Sequence, residues 1–311
     1  MKNKVAIINV YFGKLPQWFQ LWLNSCEKNE DFTWILFTDD NTEYKYPKNV
    51  IRYICDFDFV KNLIEEKLKL KIKADNPYKL CDFKTVYGNV FEEYIEEYTH
   101  WGYCDIDVIF GDLTKFITDE ILDKYDRVLN KGHLTIYKNN EKVKQYYLLP
   151  YSGVNYKDVF ESKHHYGFDE TAGLDRLYRE NNLSQYIPQK PIVADINFSN
   201  YNFIVNGHKN YDKQYFIWDN GRILRIFKEN QKEKSDEFAY IHLQKRKINV
   251  LNKNEDRYMF FQEGMIDIKE NIDLYKFNDI ILLKQIKKKY EYYKIVYKQK
   301  VYRFLHWKLK I

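Results

Sequence analysis

The sequence predicts an α/β protein with a mainly parallel central sheet, an antiparallel supplement in its C-terminal half and a basic helical tail. Three observations carry this. Over roughly the first 110 residues, strand-like apolar runs alternate with segments of helical apolar spacing, as in strands joined by right-handed helical crossovers. The second half instead holds adjacent strand-like runs around Asn220-Gly221, a dipeptide that supplies the positive φ angles of a tight hairpin turn. Residues 284–311 contain ten Lys or Arg and one Glu.

"KVAIINVYF" opens the chain as a strand. Its basic start and apolar run have the look of a signal peptide, but the run is short, lacks a small-residue cleavage site and stops at Gly13 and Pro16. "LPQWFQLWLNSCEKN" follows with Phe19, Trp22, Leu23 and Cys26 on one helical face, and "FTWILFTDD" is a strand ending in acids. "NVIRYICDFD" reads as a third strand, residues 59–70 as a charged helix, and "NPYKLCDFKTVYGNVFEEYIEEY" as helical from Tyr78. In "HWGYCDIDVIFGDL" a strand runs into Asp105 and Asp107. Strand side chains alternate between faces, so residues i and i+2 converge, and two like charges side by side need a cation. Asp112 reads as the cap of a helix in "LTKFITDEIL". "RVLNKGHLTIYKN" is a strand, "FDETAGLDRLYREN" opens a helix after a loop, "YFIWDNGRILRIF" is the hairpin, and "EFAYIHLQKRK" is a strand ending in a basic cluster. With no internal repeat and no Gly/Ser/Pro linker before about residue 250, residues 1–250 are expected to form one domain and 251–311 a helical, basic, aromatic tail.

Composition bounds the function. A hydrophobic content of 45% in 311 residues supports a real core. The 29 Tyr and 21 Phe point to aromatic packing and stacking surfaces. Cys26, Cys55, Cys81 and Cys104 show no metal or disulfide spacing, which suits a reducing cytosol. No run approaches the roughly 18 apolar residues of a membrane span.

Ligands of parallel sheets bind at the carboxyl ends of the strands, here Asn9, Tyr11 and Gly13, then Thr38, Asp39 and Asp40, then Asp105 and Asp107. With "NVYFGKLPQWFQLWLNSC", "FTDD", "PYKLCDFK", "WGYCDIDVIFGDL" and "YIHLQKRK" in this order, residues 4–248 resemble GT-A-fold glycosyltransferases encoded among bacterial surface-polysaccharide (lipopolysaccharide and capsule) genes. The resemblance implies a nucleotide-diphosphate sugar donor, a saccharide or lipid-linked acceptor and a divalent metal, Mn²⁺ or Mg²⁺. Asp105 and Asp107 would hold the ion that stabilises the departing diphosphate, against a solvated loop or a capping role. His242 would complete the metal site, against a histidine satisfied within its strand. Lys245 and Arg246 would approach the diphosphate as cations, and the strand-end residues Asn9 to Gly13 and Thr38 to Asp40 would meet the nucleotide. In the resembling family a helix like "YKLCDFK" borders the donor pocket, where Lys79 would meet phosphate and Asp82 a sugar hydroxyl; an ion pair within the helix is the rival. Asp169 or Glu170 would be the catalytic carboxylate, either a general base in an inverting transfer or a charge beside the reacting carbon in a retaining one, against acids favoured at a helix N-terminus. His133 would touch the sugar or the acceptor.

The tail holds a net +9, leaving −4 on the rest of a chain whose formal charge is +5. Tyr297, Val301, Phe304, Leu305 and Trp307 interleave with its lysines, as in helices that lie on an anionic membrane surface. The expectation is a cytoplasmic enzyme, peripheral at the inner face of the cell membrane, with no nucleic-acid partner. The alternative is a non-enzymatic protein that binds nucleic acid or membrane through this tail.

Overall fold

The structure, a computed structural model, describes residues 1–244, 248–251, 256–262, 264–268 and 282–303. The chain divides into two compact units, Met1–Lys190 and Pro191–Ile311.

The first unit contains strands β1 (Val5–Tyr11), β2 (Phe32–Thr38), β3 (Val50–Ile54), β4 (His100–Cys104), β5 (Val108–Phe110), β6 (Arg127–Lys131), β7 (Leu134–Lys138) and β8 (Gln185–Tyr186). Seven of them form the central sheet in the order β3-β2-β1-β4-β7-β6-β8. Only the β4–β7 and β6–β7 pairings are antiparallel, so the expected α/β class with a mainly parallel sheet is the one observed. Period-two alternation gives β2 two apolar faces. Trp34 meets Trp22 and Phe110 on one side (ring centroids 6.4 and 5.2 Å), while Phe37 meets Phe91 and Tyr94 on the other (4.4 and 5.0 Å). Much of the unusual aromatic content is therefore core, at about 1.5–3 kcal/mol for each large side chain fully buried.

α1 (Phe19–Glu27) buries Phe19, Trp22, Leu23 and Cys26 as its spacing predicts. In α2 (Phe57–Leu68) the Asp56 carboxylate accepts the Phe59 N–H at 2.7 Å, and left-handed Lys69 ends the helix. The segment read as a helix from Tyr78 is instead a 3₁₀-helix over Pro77–Val86, followed by the single turn α3 (Tyr87–Val90). Seven of the ten 3₁₀ residues are buried, including Lys79, Asp82 and Lys84; tertiary bonds to those polar side chains hold a form whose own hydrogen-bond geometry is poor. The helix cap expected at Asp112 is elsewhere: its carboxylate accepts from the Thr114 hydroxyl and Lys115 N–H in a turn, and Thr118 caps α4 (Asp119–Lys124). "RVLNKGHLTIYKN" is two strands, β6 and β7, turning at Gly132-His133. Short helices α5 (Glu141–Lys144) and α6 (Tyr156–Phe160) precede α7 (Leu174–Glu180).

Gly88 shows how tightly this unit is packed. A Cβ there would lie 2.4 Å from the ring of Trp101, itself buried and stacked on Tyr137 at 4.6 Å. Gly88→Ala is expected to cost about 1–3 kcal/mol by overpacking, read as a lowered urea midpoint at unchanged m-value.

In the second unit β9 (Val193–Asp195) pairs in parallel with β13 (Tyr240–His242). β10 (Gln214–Asp219), β11 (Arg222–Glu229), β12 (Lys232–Phe238), β14 (Asn249–Val250), β15 (Arg257–Phe261) and β16 (Gly264–Asp267) form a largely antiparallel sheet of their own, ordered β12-β11-β10-β15-β16-β14. Asn220 and Gly221 have φ of 45° and 88°, the predicted hairpin turn. The supplement is thus a separate sheet, not an extension of the first. Residues 257–261 and 264–267, expected in a helical tail, are strands of it, because their apolar side chains Tyr258, Met259, Phe260 and Met265 are buried there. Among the described residues of the tail, α8 (Leu282–Arg303) is helical. Phe304, Leu305 and Trp307 lie outside the described residues, as do Lys245 and Arg246.

Candidate active site

The carboxyl ends of β1, β2 and β4 lie side by side, since Tyr11 pairs with Thr38 and Ile8 with Tyr103 in register. The buried Asn9 amide donates to the Cys104 carbonyl at 2.7 Å and ties the end of β1 to that of β4. Gly13, at φ +94°, donates its N–H to Asp39 Oδ1 at 2.7 Å. Asp40 accepts the Leu15 and Thr42 N–H groups at 2.7 and 2.8 Å. Burial pushes the Asp40 carboxyl up, but the bonds from Thr42 and Leu15 and the charge of Lys14 hold it below its ordinary range. Thr38 is buried and its hydroxyl accepts from Asp40 N–H. Half-buried Tyr11 has its phenol raised first by burial and then by the negative charges of Asp107, Asp40 and Asp39, so these acids share one electrostatic neighbourhood.

Beyond β4 the chain bends, yet alternation persists: Ile106 is buried between the half-exposed Asp105 and Asp107. The cation beside Asp105 is Lys84, a residue the sequence pattern does not single out. Its ammonium lies 2.5 Å from Asp105 Oδ1, 2.9 Å from the Gly132 carbonyl and 3.5 Å from Asp169 Oδ2. Burial works against that charge, but the carboxylates of Asp105 and Asp169 outweigh it and hold the lysine well above its usual pKa. Asp169 is buried while Glu170 is exposed. Burial pushes the Asp169 carboxyl up to about 7, with Lys84 opposing and Glu170, Asp105 and Asp82 reinforcing. Gly132 lets the β6–β7 turn press on both acids, for a Cβ there would lie 3.0 Å from Asp169 Oδ2 and 3.2 Å from Glu170 Oε1. His133, also buried, accepts the Asp105 N–H through its backbone carbonyl at 3.3 Å.

Lys79 and Asp82 form the ion pair within the helix, at 2.8 Å and fully buried. The remaining bonds of Lys79 go to the carbonyls of Val159 (2.7 Å) and His164 (2.5 Å), using all three ammonium donors. Asp82 also accepts the N–H groups of Tyr166 and Phe168. The pair thus staples the 159–168 segment to the 3₁₀-helix and sets the position of Asp169.

Two acidic groups in this unit invite a cation. Ligand atoms of Asp82, His165 and Asp169 lie within 4.8 Å of one another, but the Asp82 oxygens already serve Lys79, Tyr166 and Phe168, so that cluster fits an ion poorly. Lys84 occupies one of the roughly four acceptor directions of the Asp105 carboxylate, and carboxylate oxygens such as those of Asp105 and Asp107 are the ligands a hard divalent ion takes. In the second unit His242 ends β13 with Nδ1 2.9 Å from Asp195 Oδ1, which also accepts from Gln244 at 2.6 Å.

A family model described as a family of unknown function (DUF6625) matches residues 7–273. The chain belongs to the DUF6625 family. No curated protein matches it. Similar solved structures of this DUF6625 chain include three glycosyltransferases. Mouse xyloside xylosyltransferase 1 in its apo form is 6% identical, with 63% of this chain and 88% of that chain covered and a TM-score of 0.34. The apo-form glycosyltransferase GlyE of Streptococcus pneumoniae TIGR4 is 13% identical over 60% of this chain and 45% of its own, with a TM-score of 0.31. The galactosyltransferase LgtC, in complex with donor and acceptor sugar analogs, is 12% identical over 58% and 66%, with a TM-score of 0.26.

Proposed function

We propose that this protein is a metal-dependent glycosyltransferase that moves a sugar from a nucleotide-diphosphate donor to a glycan or lipid-linked saccharide in bacterial surface-polysaccharide synthesis, working at the inner face of the cell membrane. The observation that carries the reading is the buried Asp169 carboxyl, its pKa near 7, sharing Lys84 with a half-exposed Asp105 at the carboxyl end of a parallel strand. A carboxyl poised near neutral pH suits proton transfer at an acceptor hydroxyl, and once ionised it also suits a developing positive charge on a sugar carbon. Asp169 fills that role better than exposed Glu170, because desolvation strengthens its interaction with charge. Asp39 and Asp40, fixed against Gly13 and Leu15, present a rigid edge to a nucleoside. Asp105 and Asp107 would hold Mn²⁺ or Mg²⁺, which when bound supplies charge stabilisation to the departing diphosphate.

The test is a screen of nucleotide sugars by thermal shift with and without Mn²⁺, followed by Asp107→Asn and Asp105→Asn. Transfer is expected to fall by roughly 10²-fold or more in each, with Asp107→Asn the cleaner because Asp105 also partners Lys84. Full activity in both would remove the assignment. His242 as a further ligand is tested by His242→Gln: weakened Mn²⁺ dependence supports it, and unchanged dependence removes it.

A further inference from the structure

α8 carries a face that the described residues of its own unit leave uncovered. Leu283, Ile286, Tyr290, Tyr293, Tyr297 and Val301 recur every three or four residues and fall within an arc of about 80° at 3.6 residues per turn. All six are exposed, with Leu283 at 78%, Tyr290 at 68% and Tyr297 at 70%. The helix docks by a different face: Gln285 accepts the Tyr201 N–H at 2.7 Å, the Lys288 ammonium sits 4.2 Å from the centre of the Phe198 ring, and the tilted ring of Tyr292 lies 6.5 Å from the same ring. Exposed lysines border the apolar arc on both sides, Lys287, Lys294 and Lys298 on one and Lys289 and Lys300 on the other.

We propose that this face lies flat on an anionic lipid surface, with its apolar arc at the headgroup boundary and the two lysine rows against the lipid charges. The proposal takes from the reading above only the presence of a membrane and names the residues that meet it. Charge complementarity selects the occupant. A second copy of the helix would suit the three-and-four spacing, but it would set lysine rows against lysine rows, with Glu291 as the only acid in α8 to relieve them. A nucleic acid would engage the lysines, yet the aliphatic Leu283, Ile286 and Val301 of this face contribute nothing to a phosphate backbone.

The full chain should co-sediment with phosphatidylcholine vesicles containing about one third phosphatidylglycerol and not with pure phosphatidylcholine, and added salt should release it. A Lys287→Gln/Lys294→Gln/Lys298→Gln variant should bind about a hundred-fold more weakly, at roughly five-fold for each lysine near the surface. Tyr290→Ser/Tyr297→Ser should lose binding that salt cannot account for. Neither variant touches the Gln285–Tyr201 docking bond, so thermal melting should be unchanged. Undiminished vesicle binding by both variants would overturn the proposal. So would equal binding to neutral vesicles, tighter binding to an oligonucleotide than to vesicles at physiological salt, or a concentration-dependent dimer that the tyrosine variant abolishes. Transfer to a soluble saccharide should persist in both variants. If vesicle binding behaves as expected while no transfer is found in any form of the protein, the enzymatic reading fails and the lipid contact stands.

Discussion

Asp169→Asn is expected to slow turnover by about 10²- to 10⁴-fold while changing donor affinity little, because the lost interaction belongs to the transition state. Both stereochemical routes need the carboxylate ionised. On the proposed function, turnover of the native protein should therefore rise with pH through about 7, following the raised Asp169 pKa, and the Asn variant should lack that limb. The same residue predicts the sign of a stability effect. A folded pKa raised from 3.8 to about 7 means the native state holds a proton that the unfolded state has released between those values, so stability falls as pH rises across that window. Asp169→Asn removes the dependence. Its melting temperature should match the native protein's near pH 4 and exceed it at pH 8, by on the order of 4 kcal/mol in unfolding free energy at most. An Asn variant with near-native turnover, or less stable than native at pH 8, would show that Asp169 is a structural acid.

Lys84→Met should have the largest effect on folding. The substitution strands Asp169, whose side chain is 3% exposed, without its cation and leaves the Gly132 carbonyl unpaired. Removing one partner of a buried ion pair costs about 3–5 kcal/mol. The carboxyl of Asp169 should move further up, shifting the acidic limb of turnover to higher pH. Lys84→Met/Asp169→Asn should recover part of the lost stability, since the second change removes the uncompensated charge. A double-mutant cycle by urea unfolding measures that coupling, and strictly additive losses would exclude it.

Local chemistry was legible in the chain; long-range pairing was not. β1, β2 and the Asn220-Gly221 hairpin follow from alternation and turn preference within a few residues. Asp105 and Asp107 stood out because two acids beside an apolar run need explaining locally. Lys84 closes a motif that reads only as part of a helix from Tyr78, and its meaning lies in Asp105, 21 residues away, and Asp169, 85 residues away. The 3₁₀-helix could not be read because Leu80 and Phe83 at i and i+3 suit an α-helix equally well, and the choice is made by Lys79 reaching Val159 and His164. The hairpin over residues 127–138 was hidden by its turn, Gly132-His133, which carries no Asn-Gly or Asp-Gly signal. The division after Lys190 leaves only a faint mark, Pro188 and Pro191 on either side of it, whereas the composition of the chain changes near residue 250.

The Lys79–Asp82 staple also sets a timescale. Tyr166 and Phe168 belong to an irregular segment, where backbone amides ordinarily trade their protons with solvent through small local openings. Here both amides bond a carboxylate that is itself fully buried. Releasing them means uncovering the whole ion pair. In deuterated water these two amides should therefore persist as long as those of β1 and β4, and the segment that aims Asp169 should then open as slowly as that sheet.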